Sequence, residues 1–123
     1  INFNYQKRWD YTNNILQEKE ENCDVKIVDF IKQNFSKQRL FLLENHPTSI
    51  IFINVVNQML EKIKIPKIKP INYGLDDANL GGLIPFDDSS NNFFNYGFDI
   101  ASNNYQYYKQ IITNIYNFYI SNS

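Results

Sequence analysis

The sequence predicts an α/β fold, read as the C-terminal part of an open α/β domain that is mostly helical, with one or two short strands and a long irregular loop. Three observations carry that reading. Arg39-Leu40-Phe41-Leu42-Leu43 is a short run, apolar after its first residue, that ends in the polar tip Glu44-Asn45-His46. A broad apolar stretch from Ile50 to Ile63 follows, entered through Pro47. Residues 71–104 then carry all four glycines and little periodicity. In open α/β folds ligands gather where a strand gives way to a helix, and the first amides of that helix suit an anion.

Each element has its own justification. Tyr5, Trp9, Thr12, Leu16 and Lys19 recur at helical spacing, with Ile15 beside them, which predicts a helix over 5–21. Glu18, Glu20 and Glu21 oppose the dipole at its C-terminal end, so fraying is expected there. Asn22-Cys23-Asp24 reads as a turn, and Val28 to Asn34 as a short helix with Ile27, Phe30, Ile31 and Phe35 inward. Arg39 to Leu43 is the strand, of the parallel type buried on both faces. The helix after Pro47 has a wide face of Ile51, Phe52, Val55, Val56, Met59, Leu60 and Ile63, and a narrow polar one of Asn54, Gln58 and Glu61. It spans about 24 Å at 1.5 Å per residue. Pro66 and Pro70 hold the following chain extended. Phe86, Phe93, Phe94, Tyr96 and Phe98 are the anchors of the irregular loop, and a terminal helix is expected over 105–123, with Thr113 read as its N-cap.

Composition narrows the classes. The chain has 123 residues, 43% of them apolar and 16% aromatic, enough for one domain with a core. A net charge of −1 gives no general drive toward nucleic acid or acidic membranes. A single cysteine and a single histidine exclude a disulfide framework and a His/Cys metal cage, and fit a reducing, cytoplasmic setting. No run of about 18 apolar residues predicts a transmembrane helix. The chain opens on Ile1, and its first residues read as the interior of a longer protein, so a missing N-terminal half is expected to complete the domain.

Asp24-Val25, Asp29-Phe30-Ile31, Asn34-Phe35 and Arg39-Leu40-Phe41, and above all Asn45-His46-Pro47-Thr48 before an apolar helix, resemble the WcbI-type family of polysaccharide (capsule) biosynthesis proteins. That family is regarded as acetyltransferases that bind coenzyme A. The resemblance covers about a third of the chain. It implies acetyl transfer from acetyl-coenzyme A to a sugar hydroxyl, with a partner residue upstream of Ile1. The family's Gly-Asn-Cys-Gln type turn is absent, and Phe86-Asp87-Asp88 stands where the family tends to have a histidine and a second proline.

The site candidates follow, each with a plainer alternative. An imidazole is the side chain suited to take a proton from an attacking hydroxyl, which makes His46 a candidate base; otherwise it serves the helix start beside Pro47. Asn45 can donate its amide to an oxyanion, and Thr48 its hydroxyl or backbone N–H to a phosphate; both residue types also make ordinary turns and caps. Glu44 either orients His46 or is solvated. Lys62, Lys64, Lys67 and Lys69 form a basic strip in which Lys64 and Lys67 are the candidates for the donor's phosphates, against the reading of a solvated face. Arg39, about 20 Å from His46 along an extended strand, is expected to be structural. Cys23 is a packing or turn residue, and Tyr105, Tyr107 and Tyr108 either stack on sugar rings or pack. No metal is expected. The competing readings are a non-catalytic helical interaction module and a fragment of a nucleotide-sugar-dependent glycosyltransferase.

Overall fold

The computed structural model describes residues 3–43, 45–69, 85–101 and 104–123. Helices dominate: α1 (Tyr5–Glu20), α2 (Val28–Asn34), α3 (Ser49–Lys62), α4 (Asp88–Phe94) and α5 (Tyr105–Ser121), with β1 (Phe41–Leu43) and β2 (His46–Pro47) between α2 and α3.

α1 starts where Asn4 caps it, its side chain accepting from the Lys7 amide at 2.9 Å. Its inward face differs from the expected one. Thr12 is exposed, whereas Asn13 is buried, because its Nδ2 donates back to the Trp9 carbonyl at 2.9 Å and leaves no polar group unsatisfied. The acidic end does not fray as expected. Glu20 accepts from the amides of Ile27 at 2.8 Å and Val28 at 3.2 Å, so its carboxylate does for α2 what the apolar N-cap Ile27 cannot. Val28, the most buried hydrophobic residue described, sits at that junction.

The strand is corrected in kind. β1 pairs antiparallel with β2, Phe41 opposite Pro47 and Leu43 opposite His46, with a one-residue shift of register between. Two residues join the strands, a connection too short for a parallel crossover. Among the described residues the sheet has these two strands alone, so the open parallel sheet of the sequence reading is not what this chain displays. Leu40 and Leu42 are buried and Phe41 is more exposed, so the run faces the interior on one side.

α3 runs from Ser49, two residues later than Pro47, with Thr48 as its N-cap. Its polar side chains are clamps more than a solvated face. Gln58 donates to the Lys26 carbonyl at 2.7 Å and accepts from the Lys26 amide at 3.0 Å. Asn57 does the same for Ile68, at 2.9 Å and 2.8 Å. Each primary amide thus pairs with both polar groups of one residue and holds the 24–26 turn and the 65–69 return against the helix. The helix ends in a Schellman turn: Ile65 N–H donates to Leu60 O at 2.9 Å, and Lys64 takes the left-handed position at φ 58°.

The segment expected to be irregular contains α4. Asp87 caps it by accepting from Ser90 N at 2.8 Å, and Asn95 closes it at φ 53°. The aromatic anchors form a column. Trp9 lies on Phe35 with centroids 3.9 Å apart, Phe35 meets Phe94 at 5.2 Å, and Tyr96 continues to Phe86 and Phe98 at 4.8 and 5.2 Å. Gly97 lets this segment close on the α2–β1 connection: its amide donates to Ser36 O at 2.7 Å, and a Cβ there would stand 3.2 Å from Lys37 O. The last helix begins at Tyr105 after Asn104, eight residues before the expected cap, and Thr113 lies inside it with its hydroxyl on the Lys109 carbonyl. Residues 71–84 of the predicted loop lie outside the described residues. No described helix is long and apolar enough to cross a membrane.

Two stability outcomes follow. Glu20→Ala removes the acceptor for two α2 amides and is expected to lower unfolding free energy by about 1 kcal/mol in denaturant titration. Lys64→Gly relieves the left-handed position and is expected to raise it by about 0.5–1 kcal/mol.

Candidate functional site

The hairpin decides which of its polar groups face solvent. Thr48 is 4% exposed. Its amide donates to Leu40 O at 2.8 Å, and its hydroxyl stands 3.2 Å from both the Arg39 and Leu40 carbonyls. The two donors that the sequence offered to a phosphate are therefore engaged within the hairpin, and Thr48 is a buried pin behind the site. Because that hydroxyl turns to the strand, it does not cap α3. Asn45 and His46 differ: both are exposed, at the tip and the first residue of β2, immediately before the start of α3. Glu44 lies outside the described residues.

The lysines stand at the other end of α3. Lys62 pairs with Asp24 at 3.1 Å and Lys67 with Glu61 at 2.9 Å. These pairs are solvent-exposed, worth less than about 1 kcal/mol each, and readily exchanged for a stronger anion. Lys64 is exposed and makes no ion pair among the described residues. Fourteen residues of α3 separate the hairpin from these lysines, about 20 Å of helix. Phe52, Val56, Met59 and Ile63, exposed at helical spacing, run the length between them.

Arg39 takes the structural role expected. Its guanidinium stacks over Phe86 and Phe98 with 4.9 and 5.5 Å to the ring centroids, and donates to Asp99 O at 3.0 Å. Burial lowers its pKa, and the nearby Asp99 carboxylate works in the opposite direction. The hairpin also brings the Arg39 carbonyl to the Thr48 hydroxyl, while His46 pairs with Leu43 nearer the tip.

A second concentration of polar groups went unread in the sequence. The Tyr5 hydroxyl donates to Asp87 Oδ1 at 3.0 Å across 82 residues of chain. Desolvation raises the Asp87 carboxyl, but hydrogen bonds from the Ser90 amide and the Tyr5 hydroxyl outweigh it and hold the group below the usual carboxylate value. Desolvation and the same carboxylate push Tyr5 up, and burial pushes Tyr96 up. Asp87 also borders two clefts against α5. One, of about 360 Å³, is lined by Phe86, Asp87, Asp88, Tyr105 and Gln106. The other, of about 560 Å³, adds Pro85, Tyr108, Lys109, Ile112 and Thr113 to Asp87 and Tyr105. A third, of about 320 Å³, lies beside the start of α1. None of these three is lined by Asn45, His46, Lys64 or Lys67. Spacing alone could not bring Tyr5 to Asp87; the Pro85-Phe86-Asp87-Asp88 sequence carried only a helix-start signal. Cys23 is exposed and free in its turn.

A family model described as polysaccharide biosynthesis enzyme WcbI matches residues 2–67, more than half of the chain. The chain belongs to the WcbI family. The matched region holds α1, α2, the hairpin and α3, and with them Asn45, His46, Thr48, Lys64 and Lys67. The Asp87 clefts and α5 lie beyond it. Comparison with curated proteins and with solved structures returns no match.

The Asp87 contact makes this part of the protein acid-sensitive. A carboxyl held below its unfolded value contributes stability that is complete above the ordinary carboxylate range and is lost as pH falls through the folded value. Acid titration followed by near-ultraviolet circular dichroism is expected to show loss of aromatic packing, and Asp87→Asn, which keeps a competent N-cap, is expected to flatten the pH dependence.

Proposed function

We propose that the chain takes part in O-acetyl transfer from acetyl-coenzyme A to a sugar hydroxyl in surface or capsular polysaccharide biosynthesis. Membership of the WcbI family supplies the polysaccharide context. The observation that carries the reading is the exposure of the only imidazole, on a pinned hairpin at the start of α3, with exposed lysines at that helix's far end. The exposed apolar stripe between them suits the pantetheine arm of a donor, and Lys64 and Lys67 suit its phosphates. In the transfer step His46 takes the proton of the attacking hydroxyl as the new C–O bond forms, the thioester C–S bond breaks, and the thiolate leaves to be protonated. Asn45, one residue away, is placed to donate to the carbonyl oxygen as it gains charge. Acetyl-coenzyme A is a substrate here, and the open α/β domain expected from the sequence would be completed by chain outside these 123 residues.

A second reading has one observation in its favour. α5 leaves Tyr107, Ile112, Ile115, Phe118 and Tyr119 exposed, as a helical interaction module would.

Calorimetric titration with coenzyme A separates the two, since the module predicts no heat. In the enzymatic reading His46→Ala is expected to lower transfer by about 10² or more with coenzyme A affinity retained. Lys64→Ala with Lys67→Ala is expected to weaken coenzyme A binding and its salt dependence. Unchanged turnover of His46→Ala at saturating donor removes the imidazole from the mechanism.

A further inference from the structure

The two clefts that meet at Asp87 and Tyr105 have the chemistry of a sugar site and not of a nucleotide site. Beside the apolar Pro85 and Ile112, their lining combines the aromatic residues Phe86, Tyr105 and Tyr108 with the hydrogen-bonding residues Asp87, Asp88 and Lys109. A pyranose is amphipathic in the same way. Its axial C–H groups pack on an aromatic ring, and its equatorial hydroxyls donate to carboxylates and accept from ammonium groups. The volumes, about 360 and 560 Å³, are those of small-molecule sites, and two adjoining lobes suit two sugar units.

Charge selects among polar ligands. Two carboxylates and one ammonium face the clefts, so an anionic donor meets net repulsion while a neutral polyol does not. The Lys64 and Lys67 region of α3 has the opposite character and lies elsewhere on the fold. Asp87 is fixed in place by the Ser90 amide and the Tyr5 hydroxyl, and Phe86 is held by its amide on Ile100 O at 2.9 Å and by the Arg39 guanidinium. One wall is therefore set before any sugar arrives, which reduces the ordering cost of binding. Tyr105, 50% exposed, offers much of its ring to solvent on the opposite wall.

We propose that the groove between residues 85–88 and the first turns of α5 binds a neutral saccharide, with Tyr105 as the stacking platform and Asp88 as a hydroxyl acceptor. This goes beyond the proposed acyl-transfer reading and does not depend on it, since His46 lines neither cleft.

The test is saturation-transfer-difference NMR on the full chain with maltose, lactose and N,N′-diacetylchitobiose. At least one disaccharide is expected to receive saturation, with a dissociation constant on the order of 1 mM. Tyr105→Ala and the conservative Asp88→Asn are each expected to weaken it fivefold or more, with the near-ultraviolet spectrum of the aromatic column unchanged. No transfer to any of the three sugars, or transfer undiminished in both variants, overturns the proposal. Coenzyme A added to the same sample is expected to leave the sugar signal in place, and displacement by it counts against the groove. Sugar binding without coenzyme A binding leaves the groove standing and removes the acetyl-coenzyme A reading. Coenzyme A binding without sugar transfer does the reverse.

Discussion

The stack of Trp9 on Phe35 is the contact on which the rest of the described structure depends. Buried aliphatic residues are few among the described residues: Val28, Leu40, Leu42 and Ile51, with Ala101. What joins α1 and α2 to the 85–101 segment is instead an aromatic column that begins at this stack and runs through Phe94 and Tyr96 to Phe86 and Phe98. Aromatic pairs add about 0.5–1.5 kcal/mol each beyond the area they bury. Their partners are also polar at the edges. Tyr5 reaches Asp87 from one end of the column, and Arg39 stacks on the other end.

That arrangement ties the hairpin to the column. Arg39 is anchored over two rings, and Thr48 is hydrogen-bonded to the backbone of Arg39 and Leu40. The tip between them can present Asn45 and His46 to solvent because its base is fixed on both strands. Gln58 and Asn57 similarly fix the turns at either side of α3, so the helix that begins beside His46 and ends beside Lys64 has a defined place. Rigid support behind an exposed polar group is what a reacting side chain requires.

Much of this was legible where local chemistry decides it. The bounds of α2 and the existence of α3 follow from apolar spacing, and the aromatic anchors Phe86 to Phe98 from their density in an otherwise polar segment. The hairpin was misread because Leu and Phe runs suit a doubly buried strand equally well, and the sequence between Leu43 and His46 lacks the glycine that signals a hairpin. α4 was missed because Ser and Asn have weak helix propensity, although Asp87 carried a cap signal. α5 began early because Tyr105 to Lys109 read as packing residues without a breaker before Thr113. Of the candidate site, the exposure of Asn45 and His46 agrees with the polar tip, while the engagement of Thr48 needed the pairing of β1 with β2. Asp87 and Tyr5 meet across 82 residues, a distance no local pattern encodes.

One imidazole in the whole chain makes the account's central claim, that His46 faces the acetyl donor, open to a background-free observation. In ¹⁵N-correlated NMR the ring signals of His46 are expected to shift and saturate as acetyl-coenzyme A is titrated in, with the resonances of Lys64 and its neighbours moving over the same range. Imidazole signals that stay fixed while the donor binds would contradict it.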